Sequence, residues 1–151
     1  QILIRVLNTL FGREWYFGRI TAAGLAGLIH QPVSTYYVIN KKQNKKIDSK
    51  LYGKAVLIKM SVSIEKSSGV SLQSYRDEPY YVSSVERNLT DYLYLYVHGH
   101  ADIGQVKDFY TNLQNNYQGK INREELIGLI FRCYPKGSAI KMATIFKTVN
   151  K

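Results

Sequence analysis

Residues 22–33, AAGLAGLIHQPV, constrain what this chain can fold into more than any other stretch. They close a segment, residues 13–29 (REWYFGRITAAGLAGLI), whose spacing predicts a helix with almost no side chain on one face. Each helical glycine costs about 1 kcal/mol relative to alanine. Two within one turn need an offsetting gain, and close approach of another backbone supplies it. The contact surface of such a helix is Gly24, Leu25, Ala26, Gly27 and Leu28. Pro32 then ends it, because a residue before proline is biased to extended geometry.

On either side the pattern is mixed. Residues 2–12 are apolar and helical in spacing, and residues 34–42 read as a strand. Residues 54–65 alternate, with Val56, Ile58 and Met60 predicted to face inward. Residues 66–78 fit a short helix or a loop. Residues 80–86 and 91–98 read as a hairpin, with Leu93, Leu95 and Val97 inward and Tyr92, Tyr94 and Tyr96 on the other face. Helices are predicted over 101–113 and from about Asn122 to Cys133, and the tail has helix potential. This order gives an α+β fold, one sheet backed by helices. The expected layout is a short extension over 1–12, one domain over 13–134 and a tail over 135–151.

The 21 Lys and Arg against 11 Asp and Glu leave +10 on 151 residues, an excess that suits a polyanionic partner. One cysteine, Cys133, rules out an internal disulfide and fits a reducing compartment. No apolar run reaches transmembrane length, so no membrane role is expected. The chain begins at Gln1, which fits removal of an N-terminal piece such as a targeting segment. Asn88-Leu89-Thr90 is a glycosylation sequon, relevant only in a secreted protein.

Three patterns imitate chemical sites. His98-Gly99-His100-Ala101-Asp102 resembles the first metal-binding segment of the metallo-β-lactamase superfamily, but Ile103 stands where that family needs another His. His30 and Cys133, the remaining donors of favoured type, have no motif around them, so neither zinc nor any other metal is expected. The same segment fails as a nicking-enzyme motif, because Gly99 is not hydrophobic. Residues 114–125 (QNNYQGKINREE) have the length and Gly119 of a calcium loop. Gln114, Asn116 and Gln118 stand where it needs carboxylates, so a plain helix connection is expected.

The lysine-rich stretch is different. Lys41, Lys42, Lys45, Lys46, Lys50, Lys54 and Lys59 fall within twenty residues, with Asp48 the only acid. Lysines supply phosphate affinity and aromatic rings stack on unpaired bases, so these lysines, with Tyr92, Tyr94, Tyr96 and Tyr37 (or its neighbour Tyr36), are the expected nucleic-acid face. The alternative is a solvated lysine loop on a protein that binds some other partner.

Leu25-Ala26-Gly27-Leu28-Ile29 resembles the first half of the motif that names the LAGLIDADG homing endonucleases. The resemblance extends weakly over residues 13–134, and Asp91–Leu113 is similar to that family's last strand and following helix. It implies a half-domain with a four-stranded antiparallel saddle sheet backed by helices, its motif helix packed against a twin. The family continues the pentapeptide with acids that bind magnesium. Here His30 and Pro32 stand in those places, so the resemblance implies a degenerate, non-catalytic member without cofactor. It further implies RNA, above all rRNA, as a partner in preference to duplex DNA, within a mitochondrial ribonucleoprotein such as the ribosome, or a homodimer through the motif helix. The alternatives within the family are an intron maturase or an active magnesium-dependent DNA endonuclease.

Overall fold

The structure, a computed structural model, describes residues 2–25, 34–61, 69–116 and 121–149. It is α+β, and it divides into two compact units, Gln1–Ser84 and Val85–Lys151. In order the first contains α1 (Ile2–Phe11), β1 (Trp15–Phe17), α2 (Arg19–Leu25), β2 (Thr35–Asn40), β3 (Lys45–Ser49), β4 (Gly53–Lys59), β5 (Val70–Tyr75) and β6 (Glu78–Ser83). The second contains α3 (Val85–Val97), α4 (Ile103–Asn116), α5 (Arg123–Cys133) and α6 (Lys136–Val149).

The sheet has six strands in the order β3-β4-β2-β1-β6-β5, in place of the four antiparallel strands expected. Its pairing is mixed. β2 runs parallel to β4 and β1 parallel to β6, while β1–β2 and the two edge hairpins, β3–β4 and β5–β6, are antiparallel.

Residues 2–12, expected to be an extension, supply a core helix. Leu3, Ile4, Leu7 and Phe11 share one stripe of α1 and pack with Trp15, Phe17, Val38, Ala55 and Leu57. Gly12, at φ +61°, stops the helix by bonding back to the Asn8 carbonyl at 2.9 Å. Asn8 then ties the helix to the sheet, accepting from Trp15 Nε1 at 3.0 Å and donating to the Pro79 carbonyl at 2.9 Å.

Several expected elements change here. Residues 15–17, read as helix, form the short central strand β1, and the small-residue helix begins only at Arg19. Residues 70–75 are strand, not helix or loop. In β4 the buried pair is Ala55 and Leu57, while Val56 and Ile58 are half-buried. Residues 55–58 are apolar on both faces, so alternation alone could not choose the inward one.

The expected strand over 91–98 is the second half of α3. The alternation of Leu and Tyr over 92–97 imitates a strand, but Leu89, Leu93 and Val97 recur at helical spacing and packing overrides β-propensity. The helical unit packs α3 against α4, α5 and α6, around Leu93, Val106, Leu126, Leu129, Met142 and Phe146. Asn88, the sequon asparagine, is buried in α3.

Candidate nucleic-acid interface

The lysine stretch folds as the β3–β4 edge hairpin with the turns at its two ends, and all seven lysines are exposed. Asn40, fully buried at the end of β2, positions the first turn. Its Oδ1 accepts from the backbone of Lys42 and Gln43, each at 2.8 Å, and its Nδ2 donates to the carbonyls of Gln43 and Ile58 at 3.0 and 3.3 Å. Asn44 Oδ1 accepts from the Lys59 amide at 2.7 Å. The loop that carries Lys41 and Lys42 is therefore a clamped structure, a polar turn fixed by its own side chains.

Register sorts the remaining residues by face. Tyr37 pairs with Val56 and Val56 with Lys46, so these three form one cross-strand row. Lys54 lies in the next row between Thr35 and Asp48 on the same face. Tyr37 is half-buried, with the Arg19 guanidinium 4.7 Å from its ring centroid. Thr21 of α2 holds the adjoining backbone, its Oγ1 accepting from the Tyr37 amide at 2.7 Å. Lys45 is on the opposite face, in register with Leu57.

The other tyrosines expected on this face belong to the second unit. Tyr92, Tyr94 and Tyr96 belong to α3, in the helical unit. Tyr94 is buried against Tyr134 and His98, and Tyr92 lies on Phe109 with centroids 4.6 Å apart. Of the motif-helix residues, Gly24 and Leu25 end α2, with Leu25 47% exposed. Ala26, Gly27, Leu28, His30 and Pro32 lie outside the described residues.

The imitated metal motifs resolve into helix punctuation. Gly99, at φ +77°, ends α3, with Gly99 N–H bonding Tyr96 O at 3.0 Å and His100 N–H bonding Leu95 O at 2.8 Å. Asp102 caps α4: its Oδ1 accepts from the Gln105 amide and Gln105 Oε1 accepts from the Asp102 amide, both at 2.9 Å. His98 bonds Ser138 at 3.0 Å. The calcium-like stretch ends in the same way, Asn122 capping α5 through the Glu125 amide at 3.0 Å. Among the described residues, no group of three or more His, Cys, Asp or Glu side chains is placed to hold a metal ion. Among them, too, no helix is long and apolar enough to cross a membrane.

A second feature of the sheet unit escaped sequence reading. On the α1 side of the sheet a cavity of about 180 Å³ is walled by Phe17, Tyr36, Tyr52, Tyr75 and Tyr80, with Leu25 at its edge and α1 supplying Leu3 and Ile4. The usable signal was the adjacent pair Tyr36-Tyr37, which a strand must send to opposite faces.

Compared with known protein families and with curated proteins, the chain matches none.

Proposed function

We propose that this protein binds RNA without acting on it, through the β3–β4 edge of its sheet. One observation carries the reading: seven exposed lysines on one edge hairpin and its turns, their first turn clamped by buried Asn40. Twelve of the 21 Lys and Arg, against five acids, fall in residues 1–84, so the charge excess is concentrated in the sheet unit. Lysines held in place meet phosphates with less ordering cost than lysines on a free loop. The resemblance at residues 25–29 suggests the setting, an organellar ribonucleoprotein such as the mitochondrial ribosome with rRNA as partner. His30 and Pro32, in place of the family's acids, favour binding over cleavage.

The test is fluorescence anisotropy with a structured RNA hairpin and a DNA duplex of matched length, over a salt series. RNA should bind more tightly than DNA, and changing Lys41, Lys42, Lys45 and Lys46 together to Glu should weaken RNA binding at least a hundredfold. Unchanged affinity in that variant, or magnesium-dependent cleavage of the duplex, would overturn the reading.

A further inference from the structure

We propose that the aromatic cavity beside the lysine edge is a stacking slot for a single purine base, its phosphate directed to the β3–β4 turn. The proposal rests on the RNA-binding reading for its natural source of that base, and on the cavity for its chemistry.

The slot is built from four strands and a turn. Phe17 of β1 is buried at its centre, and the rings of Tyr36 (β2) and Tyr80 (β6) each lie 5.8 Å from it, tilted at 45° and 65°. Tyr52 enters from the β3–β4 turn and Tyr75 from the end of β5. Leu25, 47% exposed, and Tyr75, 38% exposed, mark where the slot opens to solvent. Its 180 Å³ equals about six waters at roughly 30 Å³ each. That admits one flat ring system, and it is smaller than the roughly 300 Å³ at which pockets for larger organic ligands begin.

Ring walls of this kind take either a flat π-system or a cation. Charge decides between them. Among the described residues no acid lines the slot, so a quaternary ammonium would find no counter-charge among them. Glu78, near the β5–β6 turn, is held by Arg5 at 3.0 Å, and the Arg76 guanidinium lies 5.5 Å from the Tyr75 ring centroid. At the other side the β3–β4 turn that supplies Tyr52 also carries exposed Lys50, while Lys54 lies with Asp48 on the opposite face of the sheet. A basic rim around an aromatic slot complements an aromatic ring with a phosphate attached. Tyrosine hydroxyls add donors and acceptors for the base edge.

Such a base comes from an unpaired position in RNA or from a free mononucleotide, and one experiment separates the two. Anisotropy is measured with an RNA hairpin carrying one bulged adenosine, the same hairpin with an abasic bulge, and, by calorimetry, AMP alone. The wild-type protein should bind the adenosine bulge about tenfold more tightly than the abasic one. Tyr75→Ala, at an exposed rim position, should erase that difference while keeping affinity for the abasic hairpin. Tyr52→Phe, which keeps the ring, should preserve it. Equal binding of both hairpins by wild type overturns the slot and leaves the lysine edge standing. Loss of all hairpin binding in the four-lysine variant, with AMP binding retained and sensitive to Tyr75→Ala, assigns the slot to the purine independently of the edge. If neither hairpin nor AMP binds wild type, the slot and the RNA-binding reading fall together.

Discussion

A fully buried ion pair holds the helical unit together at one point. Arg87 Nε lies 3.2 Å from Asp91 Oδ1, one turn along α3, and both side chains are wholly buried. Tyr134 donates its hydroxyl hydrogen to the same Asp91 oxygen, and Thr90 Oγ1 lies 2.8 Å from that hydroxyl. Removing one partner of a buried pair strands the other charge, so Asp91→Ala should cost about 3–5 kcal/mol in urea unfolding. Replacing both, Arg87→Met with Asp91→Leu, should cost far less, because an apolar pair of similar volume needs no desolvation. The neighbouring Cys133 thiol is pushed above its ordinary value by burial, against the pull of Arg87 and Arg132 and with small upward contributions from Asp91 and Glu125. The folded chain therefore holds that proton more tightly than the unfolded one. The stabilisation is present below the unfolded value of about 8.5 and is lost as pH rises above it. Denaturant unfolding of wild type and Cys133→Ala should show the gap between the two narrowing as pH rises past about 8.5, while the tyrosines and lysines common to both cancel.

At the scale of elements, turn chemistry that looked like site chemistry is what places the helices and strands. Gly99 sits in the left-handed region, where a Cβ costs about 1–2 kcal/mol, and open space around it leaves that conformational cost as the whole effect. Gly99→Ala should therefore lower stability by about that much in thermal unfolding, and Asp102→Ala by about 1 kcal/mol through the lost cap. A change of similar size with zinc removed from wild type would instead restore the metal reading of this segment. The β5–β6 hairpin turns through Arg76 and Asp77, both at positive φ, 48° and 66°. Asn-Gly favours that geometry, so Arg76→Asn with Asp77→Gly should raise stability by about 1 kcal/mol. The α5 helix was legible because Asn122, Glu124 and Glu125 announce a start in sequence. β1 was not, because Trp15-Tyr16-Phe17 is too short to show a period and takes strand form only between β2 and β6.

For the molecule as a whole, charge placement is the feature with functional consequences. If the lysine edge binds phosphates, log affinity should fall linearly with log salt, by about 0.7 per phosphate neutralised on a single strand. The four-lysine variant should then flatten the slope by about three. Lys136, Lys141 and Lys147 are exposed on α6, in the helical unit. Changing these three to Glu should alter RNA affinity by less than about fivefold, a comparison that separates a located edge from a general effect of net charge. The lysine cluster was readable in sequence because its residues are contiguous. The aromatic slot was not, since Phe17, Tyr36, Tyr52, Tyr75 and Tyr80 are scattered over sixty residues and meet only through strand order.

By itself the sequence determined the α+β class, the apolar stripe of α1, the starts of α4 and α5, and a run of lysines that no apolar core could absorb. These depend on local periodicity, capping and charge, which act over a few neighbouring residues. Tertiary structure decided that six strands pair with mixed polarity, that residues 91–97 continue a helix, and which face of β4 is buried. It also decided that Phe17 and four tyrosines, drawn from four strands and a turn, face one another. Each of those outcomes is a choice between local conformations of similar energy, settled by the apolar surface that only the assembled sheet and helices can bury.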